Sequence, residues 1–115
     1  MGLGVALVFA VVLWVAWRAG VGLLSKKLAA AGWVLYLQAG CGACARQMKV
    51  LGGTYRRYIV CNPNGSVHGG YTRDPPLPCK ALKGAPHWYN TRTRQSHAGL
   101  LEAPALYELL EATKK

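Results

Sequence analysis

The chain has 115 residues and a formal charge of +10, from fourteen Lys and Arg against four acidic residues. This length leaves room for a short N-terminal segment and one small domain, and it excludes a second catalytic domain. The cations stand singly or in pairs, without a long basic tract or a nucleic-acid motif. The composition therefore disfavours nucleic acid as the partner and leaves anionic lipid headgroups or an acidic protein surface.

The N-terminal segment is apolar. Between residues 2 and 24 the only charged residue is Arg18. A helix of this length rises roughly 34 Å, against about 30 Å of bilayer hydrocarbon, so we predict a transmembrane anchor over residues 1–25 that contacts the membrane through residues 2–24. A cleaved signal peptide is the alternative, but no basic residue precedes the apolar run and a lysine pair follows it.

Most of the positive charge follows the apolar segment. This excess predicts a single-pass membrane protein whose folded domain lies on the cytoplasmic face, which is a reducing compartment. We predict a linker over residues 26–32 and the folded domain over residues 33–115.

The first half of this domain reads as strand, helix and strand. Residues 33–37 are a short apolar, β-favouring run that is typical of a buried strand. Residues 41–51 have helical spacing, and a glycine pair ends the helix. Residues 55–61 predict a second strand, and a strong turn signal follows at 62–65. The two strands should be parallel, with a right-handed connection.

The second half is richer in turn residues. Residues 66–78 contain several Gly and Pro and indicate an ordered loop, and residues 79–83 favour one or two helical turns. Residues 85–89 and 95–98 flank a polar turn and predict a hairpin. Residues 101–112 combine a leucine stripe with glutamates, which is typical of an amphipathic helix.

Three features, in this order, resemble the thioredoxin family over about residues 33–112. The segment Cys41-Gly42-Ala43-Cys44 directly follows the first strand, Gly84-Ala85-Pro86 precedes an apolar strand, and Gly99 separates the hairpin from the last helix. The resemblance implies an α/β, thioredoxin-like fold with a central sheet of about four strands flanked by helices. It also implies that Cys41 and Cys44 are the catalytic pair, and that Ala85 and a cis Pro86 bind substrate.

The chain departs from the family pattern at three places. Gly40 stands where the family usually has Trp, and the Gly42-Ala43 dipeptide lacks the usual Pro. Leu35 aligns with the buried Asp that often helps the second cysteine lose its proton. These departures bear on activity more than on fold.

The spacing of the cysteine pair suits thiol–disulfide exchange. Cys41 at a helix N-terminus would be stabilised as a thiolate by free backbone N–H groups and the helix dipole. Cys44, three residues on, lies on the same helical face and can attack a mixed disulfide at Cys41. A cis Pro86 would place the Ala85 backbone beside Cys41 to hydrogen-bond an extended substrate. We expect protein substrates with thiols or disulfides, and no cofactor or metal.

The other cysteines and one histidine leave alternatives open. Cys41 and Cys44 could be buried thiols or an inert disulfide on a borrowed scaffold, or they could join Cys61 and Cys79 in a zinc site. We predict that Cys61 and Cys79 are two buried thiols, with a bridge between them as the alternative. His87, next to the cis-proline position, could lie near Cys41 and tune it.

Two functions fit these features. The first is a membrane-anchored, thioredoxin-like thiol–disulfide oxidoreductase that acts on protein cysteines near a membrane. The second is a non-enzymatic structural linker that ties a membrane to a protein shell or another large membrane-associated assembly, for example a viral capsid with an internal membrane. The strongly basic composition of so small a domain motivates the second.

Overall fold

The computed structural model describes residues 11–13 and 22–113. In this part of the chain it is a small α/β unit with a five-stranded mixed sheet. The strands are β1 (Trp33–Gln38), β2 (Tyr58–Cys61), β3 (Val67–Gly70), β4 (His87–Asn90) and β5 (Ser96–Ala98). The helices packed on the sheet are α1 (residues 22–30), α2 (Gly42–Val50) and α3 (Ala103–Thr113), and a 3₁₀ turn covers Cys79–Ala81.

The sheet has the strand order β3-β2-β1-β4-β5. β1 pairs with β2 in parallel, as predicted for a strand–helix–strand unit, and with β4 in the antiparallel direction. β3 and β5 extend the two edges as antiparallel hairpin partners of β2 and β4. The central strand is therefore buried by neighbours on both sides, which agrees with its continuous apolar sequence.

The helices lie on one face of the sheet. Alternate β1 residues, Trp33, Leu35 and Leu37, point into a core that all three helices share, through residues such as Leu28, Cys44 and Leu106. The remaining β1 residues face the other way, because side chains alternate along a strand.

A loop covers the opposite face of the sheet. Val34, Tyr36 and Ile59 pack there against Cys61 and Cys79, with half-buried leucines of the loop beside them. The expected sheet of about four strands flanked by helices is thus wrong in two details: the sheet has a fifth strand, β3, and a cross-linked loop replaces helices on this face.

The predicted transmembrane anchor is contradicted. Within residues 11–13 and 22–113, no helix has the length and apolar character to cross a bilayer, and most of the predicted span 2–24 lies outside the described residues. Its C-terminal end belongs to α1, where Leu24 is 2% exposed and packs in the core with Leu28. The single-pass localisation on the cytoplasmic face rested on that span and is corrected with it.

The physical reason is the spacing of apolar residues in α1. Leu24 and Leu28 are one helical turn apart and face the core, whereas Lys26 and Lys27 are exposed between them. Ser25 is also buried, and its hydroxyl lies 2.8 Å from that of Thr54. The segment predicted as a linker, 26–32, therefore runs through the second half of this packed helix and the turn that leads into β1.

Candidate functional site

Cys41 immediately precedes α2 and is the N-cap residue of this helix. It has extended backbone angles, and its Sγ accepts a hydrogen bond from the Cys44 backbone N–H at 3.2 Å. The preceding turn at Gly40 has a φ of 79°, a left-handed conformation that glycine adopts without strain. A thiolate at this position would be stabilised by the N–H groups that the first helical turn leaves free.

Cys44 lies one turn further along and is buried, with 4% of its surface exposed. Its Sγ accepts a hydrogen bond from the Gln38 backbone N–H at 3.4 Å. Burial, together with the neighbouring Cys41 side chain, raises the pKa of the Cys44 thiol to about 12. Leu35, fully buried in the same core, provides no carboxylate to accept its proton.

The loop that leads to Pro86 lies beside the Cys41–Cys44 pair. The Ala85–Pro86 peptide bond is cis, as expected. The Cys41 thiol faces the Ala85 carbonyl oxygen, with the Sγ to O distance at 3.7 Å. The structure therefore places the backbone before Pro86 within reach of anything bound at Cys41.

The surface around the thiols consists of two shallow clefts that share Gln38. One cleft, of about 410 Å³, is mostly apolar and is lined by Cys41, Cys44 and Met48 among others. The second, of about 300 Å³, runs from Ala85 towards the turn after β2 and is more polar. An extended chain across Cys41 and Ala85 would have an apolar surface on one side and amide groups on the other.

Gln47 holds the cysteine helix in place, although the sequence did not single it out. It is fully buried, donates through Nε2 to the Leu101 carbonyl oxygen at 2.9 Å and accepts from the Leu101 N–H at 2.8 Å. The Trp88 indole N–H also donates to it, at 3.4 Å. One side chain thus ties α2 to β4 and to the segment before α3.

Cys61 and Cys79 form a disulfide, so the prediction of two free thiols is wrong. It lies on the loop-covered face of the sheet, whereas Cys41 and Cys44 are free thiols in the helical core. This separation removes the four-cysteine zinc alternative. In the described part of the chain, no cluster of three metal-binding side chains is present.

His87 takes a different place from the one proposed for it. Its ring packs edge-on against Tyr36 at a centroid distance of 6.4 Å, on the loop-covered face. Both ring nitrogens are buried and lack a hydrogen-bond partner among the described residues. Burial, followed by the nearby His97, lowers the pKa of His87.

Four residues were predicted for the site, and the structure brings them together where β1 ends and β4 begins, near the centre of the sheet. Cys41, Cys44 and Ala85 are linked by the contacts above, and Pro86 is buried directly beside them. Gln38 and Gln47 are the positioning residues that sequence reasoning missed. Comparisons of the chain with protein-family models, with curated proteins and with solved structures find no match, so no family is assigned to it.

Proposed function

We propose that this chain is a thioredoxin-like thiol–disulfide oxidoreductase that acts on cysteines of protein substrates. The observation that carries the proposal is the position of the Cys41 thiol: half-buried, at the start of α2, bonded to the Cys44 N–H and facing the Ala85 carbonyl. A reactive thiol needs access, stabilisation of its thiolate and a surface that holds the substrate chain. The partial exposure of Cys41, the Cys44 N–H and the Ala85 carbonyl support these three requirements at the Cys41 Sγ.

In the reducing direction, the Cys41 thiolate attacks one sulfur of a substrate disulfide and a mixed disulfide forms. The other substrate sulfur leaves as a thiolate that takes a proton from water. Cys44 then gives up its proton and attacks the Cys41 sulfur, which releases the second substrate thiolate. Two electrons pass to the substrate, the Cys41–Cys44 disulfide forms, and an external dithiol restores the reduced pair.

The two steps differ in difficulty. Cys41 is half-buried, whereas Cys44 is buried and its pKa is raised to about 12, so little of it is thiolate at neutral pH. No carboxylate lies behind it at the Leu35 position. We therefore expect the second step to be slow and the mixed disulfide to be long-lived.

The test is turnover of a disulfide peptide that becomes fluorescent on cleavage, with excess dithiol as the reductant. Replacing Cys41 with Ser should abolish turnover, and replacing Cys44 with Ser should leave the mixed disulfide trapped. Ala30→Ser is the matched control, because it introduces the same side chain at an exposed position of α1, outside both clefts, and leaves both thiols.

Alkylation of the native protein provides a second readout. Iodoacetamide at pH 8 should modify Cys41 at least about tenfold faster than Cys44, because the thiolate reacts and Cys44 is neutral and buried. Unfolding the chain should equalise the two rates, as located by mass spectrometry. Unchanged turnover in C41S, or equal alkylation of the two thiols in the folded protein, would contradict the proposal.

One observation supports a second candidate function, a non-enzymatic structural linker that binds an acidic surface of a large assembly. Arg46 pairs with Glu102 at 2.9 Å, and the other described cations have no ion pair with a described carboxylate. Their charge is available to a partner. A wild-type chain with no turnover, together with a C41S/C44S variant that still assembles its native complex, would favour the linker.

A further inference from the structure

A third cleft lies at the far end of α2 from Cys41. It measures about 800 Å³ and is formed by α1, the loop that follows α2, and the Tyr71 ring. α2 spans nine residues, Gly42–Val50, which is roughly 13 Å along the axis. The cleft is therefore distinct from the candidate redox site and does not depend on the function proposed for it.

The charge of this cleft has one sign. Lys26, Arg56 and Arg57 line it, and none of the described lining residues is acidic. None of the three has a carboxylate of the described residues within ion-pair distance. Three cations held around one concave surface raise the local potential, which attracts an anion.

Arg57 is the least satisfied of the three cations. Its guanidinium lies over the Tyr71 ring, 5.3 Å from the centroid, in a cation–π contact. Its Nε is buried and has no hydrogen-bond partner within the part of the chain that the structure describes. The Arg57 charge is therefore neutralised by no described carboxylate and is not fully satisfied by hydrogen bonds of this side chain.

The end of α2 leaves the cleft open to an anion. Helix C-termini normally expose carbonyl oxygens, which repel negative charge. Here Gly52, Gly53 and Thr54 donate their backbone N–H groups to carbonyls of the last turns of the helix, and the Thr54 hydroxyl donates to the Leu51 carbonyl. The carbonyls of Met48, Lys49 and Leu51 therefore already accept hydrogen bonds from within the chain.

We propose that this cleft binds the phosphate group of a phosphomonoester ligand. A phosphomonoester carries nearly two negative charges at neutral pH, which matches three cations better than a single carboxylate does. Arginine presents a planar fork of donors that suits phosphate oxygens, and lysine adds a point charge. The Tyr71 ring and the Ala29 wall would cover an apolar group attached to the phosphate. The volume exceeds what inorganic phosphate needs and falls in the range of small-molecule sites.

Calorimetric titration of the full-length chain with phenyl phosphate tests the ligand chemistry. We expect phenyl phosphate to bind at least tenfold more tightly than benzoate, which has the same ring and one charge. K26Q/R56Q, at two exposed positions, should weaken phenyl phosphate binding at least tenfold, whereas the control K83Q/R94Q, also one Lys and one Arg, should change it less than twofold. Arg57→Lys keeps the charge but removes the planar fork of guanidinium donors, and it should also weaken binding.

Vesicles separate the two sources of a phosphomonoester. The chain is sedimented with phosphatidylcholine vesicles that contain or lack phosphatidic acid. The ligand is a lipid headgroup if the wild type binds more strongly to the vesicles with phosphatidic acid, and if K26Q/R56Q loses this preference while K83Q/R94Q keeps it. The ligand is a soluble phosphorylated molecule if the chain binds phenyl phosphate but shows no preference for these vesicles. No phenyl phosphate binding at millimolar concentration, or equal losses in the two double variants, would overturn the proposal.

Discussion

The Cys61–Cys79 disulfide should account for a large share of the stability of this domain. The bridge joins residues separated by 18 positions in the sequence. Closing a loop of this size in the unfolded chain contributes about 3 kcal/mol on the chain-entropy estimate. The loop also covers Val34, Tyr36 and Ile59, so its release would expose one face of the sheet and add to the loss. We expect C61A/C79A, or reduction of the bridge, to lower the free energy of unfolding by at least about 3 kcal/mol.

The assay is urea unfolding of the full chain with and without a dithiol reductant. The same loss should lower the melting temperature by roughly 10–20 °C for a domain of this size. C41A/C44A is the control, because it keeps the bridge and should respond to the reductant as the wild type does, whereas C61A/C79A should not respond. Oxidised and reduced wild-type protein that agree within about 0.5 kcal/mol would refute the reasoning.

Two further predictions concern buried polar side chains. Gln47→Ala should lower the free energy of unfolding by about 2–3 kcal/mol, because it leaves both backbone groups of Leu101 without their partner. Urea unfolding measures this loss, and Gln95→Ala, at an exposed position, is the control. The lowered pKa of His87 means that the unfolded chain binds this proton first, so stability should fall as pH drops below about 6.5. Urea unfolding at pH 7.5 and 5.0 should show a larger acid loss in the wild type and in the exposed control His68→Gln than in His87→Leu, and equal losses in all three would contradict this.

Local sequence pattern was sufficient for much of the fold, because several elements carry their own signals. The apolar run that begins at Trp33 and the helical spacing after Cys41 correspond to β1 and α2. The hairpin of β4 and β5 is signalled by the polar turn between two short β-favouring runs. In each case neighbouring residues contain the pattern, so no distant contact is needed to find it.

β3 was missed because its own residues favour a loop. His68, Gly69 and Gly70 have low strand propensity, and the strand exists through its pairing with β2. A side chain at Gly70 would place its Cβ only 2.4 Å from the Tyr58 carbonyl oxygen. The glycine that weakened the prediction is therefore what allows the two backbones to approach.

The role of α1 and the role of Gln47 in the site were also missed from the sequence. Hydropathy alone made the segment through residue 24 resemble a membrane span, although the one-turn spacing of Leu24 and Leu28 is a signal of a core-facing helix. Gln47 was not singled out, because its partner Leu101 is 54 positions away in the sequence. Chemistry that depends on such distant pairs cannot be seen in a local window.

The alternation of side chains along the strands decides which cysteines act together. Cys61 follows Ile59 by two positions, so both point to the loop-covered face, where Cys79 meets them. Cys44 rests on the opposite face, against the odd-numbered residues of β1. The sheet therefore separates the disulfide from the free pair, and the two do not exchange within one folded molecule. The redox cycle proposed for Cys41 and Cys44 would therefore leave the Cys61–Cys79 disulfide, and the loop that it anchors, intact.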